Sequence, residues 1–135
     1  MTTALEATDA VVKRWIANWT GTTKTDLEGE NFTPTRGEAY ARLTIRHIVG
    51  VQSTQGSTGN RRFRRKAEAI VQLFTPATGG AAAGNALMHT AKNIFEATSF
   101  SNLRFIGSAQ LAELGVDGEW LMHLVTCPFD YQEIK

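Results

Sequence analysis

Two runs of alternating side chains, with an eight-residue tract that has nothing large and apolar to bury and then a basic stretch between them, constrain the fold of this chain more than any other feature. In residues 40–52, Ala41, Leu43, Ile45, His47, Val49 and Val51 alternate with Tyr40, Arg42, Thr44, Arg46 and Ile48. In residues 67–74, Ala67, Ala69, Val71 and Leu73 alternate with Glu68, Ile70, Gln72 and Phe74. A period of two rich in β-branched residues defines strands. The tract between them, STQGSTGN at 53–60, contains two glycines, so the strands form a long hairpin with a mobile tip.

The return strand opens on Arg61, Arg62, Arg64, Arg65 and Lys66, five cations in six positions. Alternation sends them to both faces of the strand, a placement too costly in desolvation for a core. The basic arm therefore projects beyond the sheet. Formal net charge is only +1, yet residues 41–66 hold seven cations and no acid, while residues 1–40 carry net −2 and residues 67–135 net −4. Such a polarised subunit attracts an acidic partner, or a copy of itself head to tail.

The remaining elements assemble around this hairpin. Thr8 or Asp9 caps a first helix whose stripe is Val11, Val12, Trp15, Ile16 and Trp19, and which ends at Thr20 and Gly21. Residues 22–37 read as a long polar surface connection with Phe32 pinned against the body. After Gly79 and Gly80, a second helix presents Ala83, Leu87, Thr90 or Ala91, Ile94 and Phe95, and its small early face permits close packing on the sheet. Residues 103–106 form a short strand, 109–114 a strand or a helical turn, and 115–118 a turn. In the last strand, 120–133, Leu121, His123, Val125, Cys127, Phe129 and Tyr131 alternate with Trp120, Met122, Leu124 and Thr126. Both faces of its first half are apolar, whereas two helices in a domain of this size cover one face of a sheet. Ile48, Ile70, Phe74, Trp120, Met122 and Leu124 are thus candidates for a subunit interface.

These elements define one domain, residues 1–135, of the α/β (α+β) class: a mixed, mainly antiparallel sheet of four to five strands, two helices on one face and a projecting basic hairpin. No basic segment followed by a continuous apolar one stands near residue 1, and no run of 18 apolar residues occurs, so neither a signal peptide nor a membrane span is expected and the chain folds in a cytoplasm.

Candidate chemistry is sparse. His47 and His123 share the core phase of their strands and invite a metal or general-base reading, but no acid lies at short ligand spacing and His89 belongs to a separate helix. Buried histidines satisfied by hydrogen bonds are the simpler account. Cys127, the sole cysteine, reads as a small packed hydrophobe. GGAAAG at 79–84 lacks the Lys-Ser/Thr ending of a phosphate-binding loop and the spacing of the dinucleotide fingerprint, and reads as a close-packed helix start. Trp15, Trp19 and Trp120 read as core or interface. The expectation is a chain that is not an enzyme, with no cofactor and no metal.

The order of elements resembles the tail terminator proteins of long-tailed bacteriophages. The resemblance spans about residues 30–135 and rests on FTP at 32–34, an Arg-rich return strand ending VQLFTP at 71–76, the QLFTP…GG passage at 72–80, IFEATSF at 94–100, LRFIG at 103–107, and WLMHLVTCPFDY at 120–131. Where members often carry a glycine after the basic residues, this chain has KAEA at 66–69. The resemblance implies a structural virion protein that forms a homohexameric ring on the tail tube protein, ends tube polymerisation and offers a docking surface to the head-side connector. The genome DNA passes through its channel without specific recognition. It implies a place at the head-proximal end of the tail, assembly in the host cytoplasm, and no membrane. Arg61, Arg62, Arg64, Arg65 and Lys66 then contact a tube or connector protein or line the channel. Alternatives are another head-tail connector or completion protein, and a nucleic-acid-binding module that uses the same arm.

Overall fold

A computed structural model describes residues 3–19, 23–27, 32–34, 37–105 and 107–135. In chain order the elements are α1 (Ala4–Trp19), β1 (Lys24–Leu27), β2 (Tyr40–Gln52), β3 (Arg62–Pro76), a 3-10 turn (Ala77–Gly79), α2 (Ala81–Phe95), β4 (Ser99–Phe100), β5 (Leu103–Arg104), β6 (Gln110–Asp117) and β7 (Trp120–Ile134). The architecture is mixed α+β. The strands form one sheet in the order β1-β2-β3-β7-β5-β4, and β6 also pairs with β7, so β5 and β6 share its outer edge at different heights. Among the described strands only β1 runs parallel to its neighbour.

β2, β3 and β7 occupy the segments that alternation predicts, and their register explains the core. Leu43 pairs with Val71 and Val71 with Val125, while Ala69 pairs with Cys127 and Ala67 with Phe129. Paired residues share a face, and this one is closed by α1, through Ala7, Val11, Trp15 and Trp19, and by α2, through Gly84, Met88, Ala91, Ile94 and Phe95. An aromatic seam binds helices to sheet: the Trp15 and Trp19 ring centroids lie 4.3 Å apart, Phe95 and Phe105 5.2 Å, and Phe105 and Phe129 4.8 Å. Both indole N–H groups are satisfied, Trp15 Nε1 donating to Thr25 Oγ1 at 3.0 Å and Trp19 Nε1 to Thr23 Oγ1 at 2.9 Å.

Several expectations are corrected. The first helix begins four or five residues earlier than its predicted caps, at Ala4, because the Thr3 hydroxyl accepts the Glu6 N–H at 3.2 Å. Thr8 instead donates to the Ala4 carbonyl within the helix. The predicted stop at Thr20 and Gly21 lies outside the described residues, as does Ile106 of the predicted 103–106 strand. The expected surface connection contains β1, which is held to β2 by Lys24–Tyr40 to Leu27–Leu43 pairing and by Arg42 Nε donating to Asp26 Oδ2 at 3.0 Å. On α2 the stripe falls on Gly84 rather than the exposed Ala83, because only a residue without a Cβ fits there against the His123 ring. Residues 110–117 form a full strand. Gly115, at φ +85°, pairs with Met122 next to an irregularity at Leu114 and is not part of the turn, which is made at Gly118. Seven strands are present among the described residues, against the four to five expected, because β1, β4 and β6 carry little alternation of their own.

Candidate functional site: the uncovered face and its cationic end

Among the described residues no helix lies on the second face of the sheet. Tyr40, Phe74 and Trp120 meet there: Tyr40 stacks on Phe74 with centroids 4.5 Å apart, and Trp120 meets Tyr40 edge-on at 5.1 Å. Phe32, the expected anchor, lies against Tyr40 at 5.2 Å, and the Arg42 guanidinium sits 5.4 Å over the Phe74 ring. Burial pushes the Tyr40 phenol up from its ordinary range, opposed by Arg42 and reinforced by Asp26. Pairing places Ile70 opposite Thr126, Gln72 opposite Leu124 and Phe74 opposite Met122. Ile70, Trp120, Met122 and Leu124 are half-buried and Phe74 is buried under its aromatic neighbours. Five of the six candidate interface residues therefore form one patch. Ile48 stands apart at the irregularity between His47 and Val49, 53% exposed.

That irregularity inserts one residue into β2 and reverses its phase. Val51 pairs with Arg64 and Gly50 with Arg65, so Val51 joins the uncovered face instead of following His47 onto the covered one. Val51 is 57% exposed beside the cations.

The basic half of β3 is not a free two-stranded arm. β7 runs alongside it, from Lys66–Asp130 to Arg62–Ile134, and backbone bonds between Arg61 and Lys135 close the end. This third strand brings acids to the arginines. Asp130, whose side chain is 8% exposed, holds Arg64 at 3.2 Å and Arg104 at 3.0 Å on the uncovered face. Glu133 holds Arg65 at 2.9 Å on the covered side, where Gly50 leaves room for the guanidinium. Arg61 turns back to the tip, donating to the Gly56 carbonyl at 3.2 Å and Thr58 Oγ1 at 3.1 Å. Among the described residues no carboxylate pairs with Arg62 or Lys66, both exposed. Of the five cations predicted to meet a partner, the structure commits three internally and leaves these two presented outward. The sequence carries the signal in PFDYQE at 128–133, whose acids fall opposite the basic six once β3 and β7 are aligned antiparallel.

The two histidines of the core phase do not meet. His47 pairs with Ala67 and His123 with Leu73, six residues along β3, or about 20 Å at strand rise. His47 is exposed, with Nε2 3.2 Å from Thr8 Oγ1 and Nδ1 3.4 Å from Tyr131 Oη, in a groove that also contains Arg65 and Glu133. Each of these polar groups is already engaged with another. His123 is fully buried against Gly84 and, contrary to a histidine satisfied by hydrogen bonds, neither ring nitrogen has a partner among the described residues. Cys127 is buried, its thiol pushed up to about 12 by desolvation and then by the Glu96 carboxylate. GGAAAG holds the start of α2, with Gly80 at φ +73° as its N-cap. No group of three or more potential metal ligands occurs among the described residues, and no helix there is long and apolar enough to cross a membrane.

No protein-family model matches the chain, and no curated protein matches it. Solved structures do. One that bears no functional description superposes with a TM-score of 0.72 over 99% of each chain at 12% identity. At that identity the likeness shows a shared fold alone.

Proposed function

We propose that this chain is a ring-forming structural subunit of a long-tailed bacteriophage, the tail terminator that caps the tail tube and joins it to the head-side connector. The observation that carries the reading is the uncovered sheet face, where Ile70, Trp120, Met122 and Leu124 remain half-buried around the packed Tyr40 and Phe74 and a lone chain leaves their apolar surface partly open to water. Burying it against a copy recovers roughly 25 cal/mol per Å² of apolar surface. A sheet with two helices on one face and a basic end is the architecture this reading needs, and the sequence motifs at 71–80 and 120–131 supply the particular family.

The test is the native mass of the purified protein, alone and with its tube protein, together with class averages of the particles. A six-fold ring that seats on tube ends and arrests their growth is expected. A chain that stays monomeric at all concentrations and leaves tube growth unchanged overturns the reading. Because Arg62 and Lys66 have no carboxylate partner among the described residues, nucleic-acid binding is the second reading. It requires affinity for free duplex DNA that falls steeply with salt.

A further inference from the structure

β6 is the most naked element of the fold. It touches the molecule chiefly through β7, and its other edge is unpaired among the described residues. Seven of its eight residues are exposed, Leu111, Leu114 and Val116 at 47%, 48% and 65%. An edge strand with three exposed aliphatic side chains is a template for association. Two acids, Glu113 and Asp117, are interspersed with them, and no Lys or Arg occurs in residues 105–134.

The opposite end of the sheet has the complementary composition. There Ile48 and Val51 are exposed, at 53% and 57%, and the cations Arg62 and Lys66 frame them. β6 lies along residues 120–126 of β7 and the cationic end along residues 130–134. The centres are about ten residues apart, roughly 33 Å at strand rise, so one molecule cannot fold its own β6 onto its own cations.

We propose that the β6 edge of one copy docks on the cationic end of the next, Leu111, Leu114 and Val116 against Ile48 and Val51, with Glu113 and Asp117 meeting Arg62 and Lys66. The contact is heterologous: each copy presents one donor and one acceptor, and repetition closes a ring or extends a filament. The inference rests on the ring reading only in taking a sibling copy as the partner, and it assigns Arg62 and Lys66 to the subunit contact instead of to tube, connector or DNA.

Two charge-reversed variants test it, Glu113→Lys/Asp117→Lys and Arg62→Glu/Lys66→Glu. Each alone presents like charges at every junction, and the concentration for half-assembly rises by more than about tenfold. Mixed in equal amounts, the first variant's basic β6 meets the second's acidic end and the reverse, so oligomers of wild-type mass return with the copies alternating. Return in the mixture also shows that both variants fold. Wild-type assembly by either variant alone overturns the inference while leaving the ring reading intact, and so do rings of the second variant that form normally but fail to join heads. A mixture that stays monomeric, with both variants folded by circular dichroism, overturns it too. Open head-to-tail chains without rings keep the inference and remove the ring reading. A wild-type chain that never self-associates removes both.

Discussion

Ile70 and Val71 are neighbours in one strand, yet they live in different solvents. Val71 is fully buried between Leu43 and Val125 beneath the helices. Ile70, flanked by Thr44 and Thr126, is half-buried on a face with no helix over it among the described residues. The contrast repeats along β7, where Val125 and Cys127 are closed off while Leu124 and Thr126 remain half open. The covered face is almost wholly apolar, whereas the uncovered one sets Ile70, Met122 and Leu124 beside Arg46, Glu68 and Gln72, and the two serve different purposes. One holds the monomer together, and the other is surface held back for a partner under the proposed reading.

One carboxylate placed on each face should separate the two most strongly. Val71→Asp puts an unpaired charge where desolvation costs several kcal/mol, on the order of the whole stability of a domain. Its circular dichroism should show an unfolded or molten chain. Ile70→Asp should cost about 1–2 kcal/mol, keep a cooperative thermal transition, and abolish assembly under the ring proposal. A folded Val71→Asp, or an Ile70→Asp that unfolds, would show that the two faces are not distinct in the way described.

A smaller effect probes the helix contact on the covered face. A Cβ at Gly84 runs into the His123 ring, so Gly84→Ala should destabilise by about 1–3 kcal/mol in urea melts. Removing the ring in Gly84→Ala/His123→Ala should recover part of that loss, a coupling of about 0.5–3 kcal/mol. Strict additivity of the two changes would mean that the helix has shifted away from β7 instead.

How much of this was legible in the sequence follows from which face a residue occupies. β2, β3 and β7 were readable because one face is covered and apolar residues must recur at every second position. The same logic fails at Ile48, where an inserted residue flips Val51 to the other face without leaving a mark in composition. It fails at β6 for a different reason. A strand covered by no helix has no buried phase to enforce alternation, so Leu111, Leu114 and Val116 follow neither period and the strand exists through its pairing with β7. β1 is four residues of unremarkable polarity, held by Asp26 and by the edge of β2. At the cationic end the positive charges were plain, but their internal neutralisation by Asp130 and Glu133 depends on a pairing register between residues about 66 apart in the chain.

The mildest predicted effect concerns a proton on the covered face. Cys127 is 1% exposed, and desolvation, with Glu96 adding to it, pushes its thiol up to about 12. In an unfolded chain the thiol ionises near its ordinary value, about 8.5. Between those two values the native state keeps a proton that the unfolded state has released, so the contribution of this group is full below about pH 8.5 and falls away as pH rises toward 12. Burial also pushes Tyr40 and Tyr131 up, and they titrate in the same direction. Alkaline destabilisation of the wild type alone is therefore ambiguous, and the informative quantity is its difference from Cys127→Ala. The urea midpoint of the wild type should fall more than that of Cys127→Ala between pH 7 and pH 10, and parallel curves would mean that the thiol is not closed off by the helices. The same burial predicts that the thiol reagent iodoacetamide at pH 8 labels the native protein at least about 100-fold more slowly than the urea-unfolded chain, because attack requires the thiolate and access to it. Rapid labelling of a folded chain would open the covered face to solvent and erase its contrast with the uncovered one.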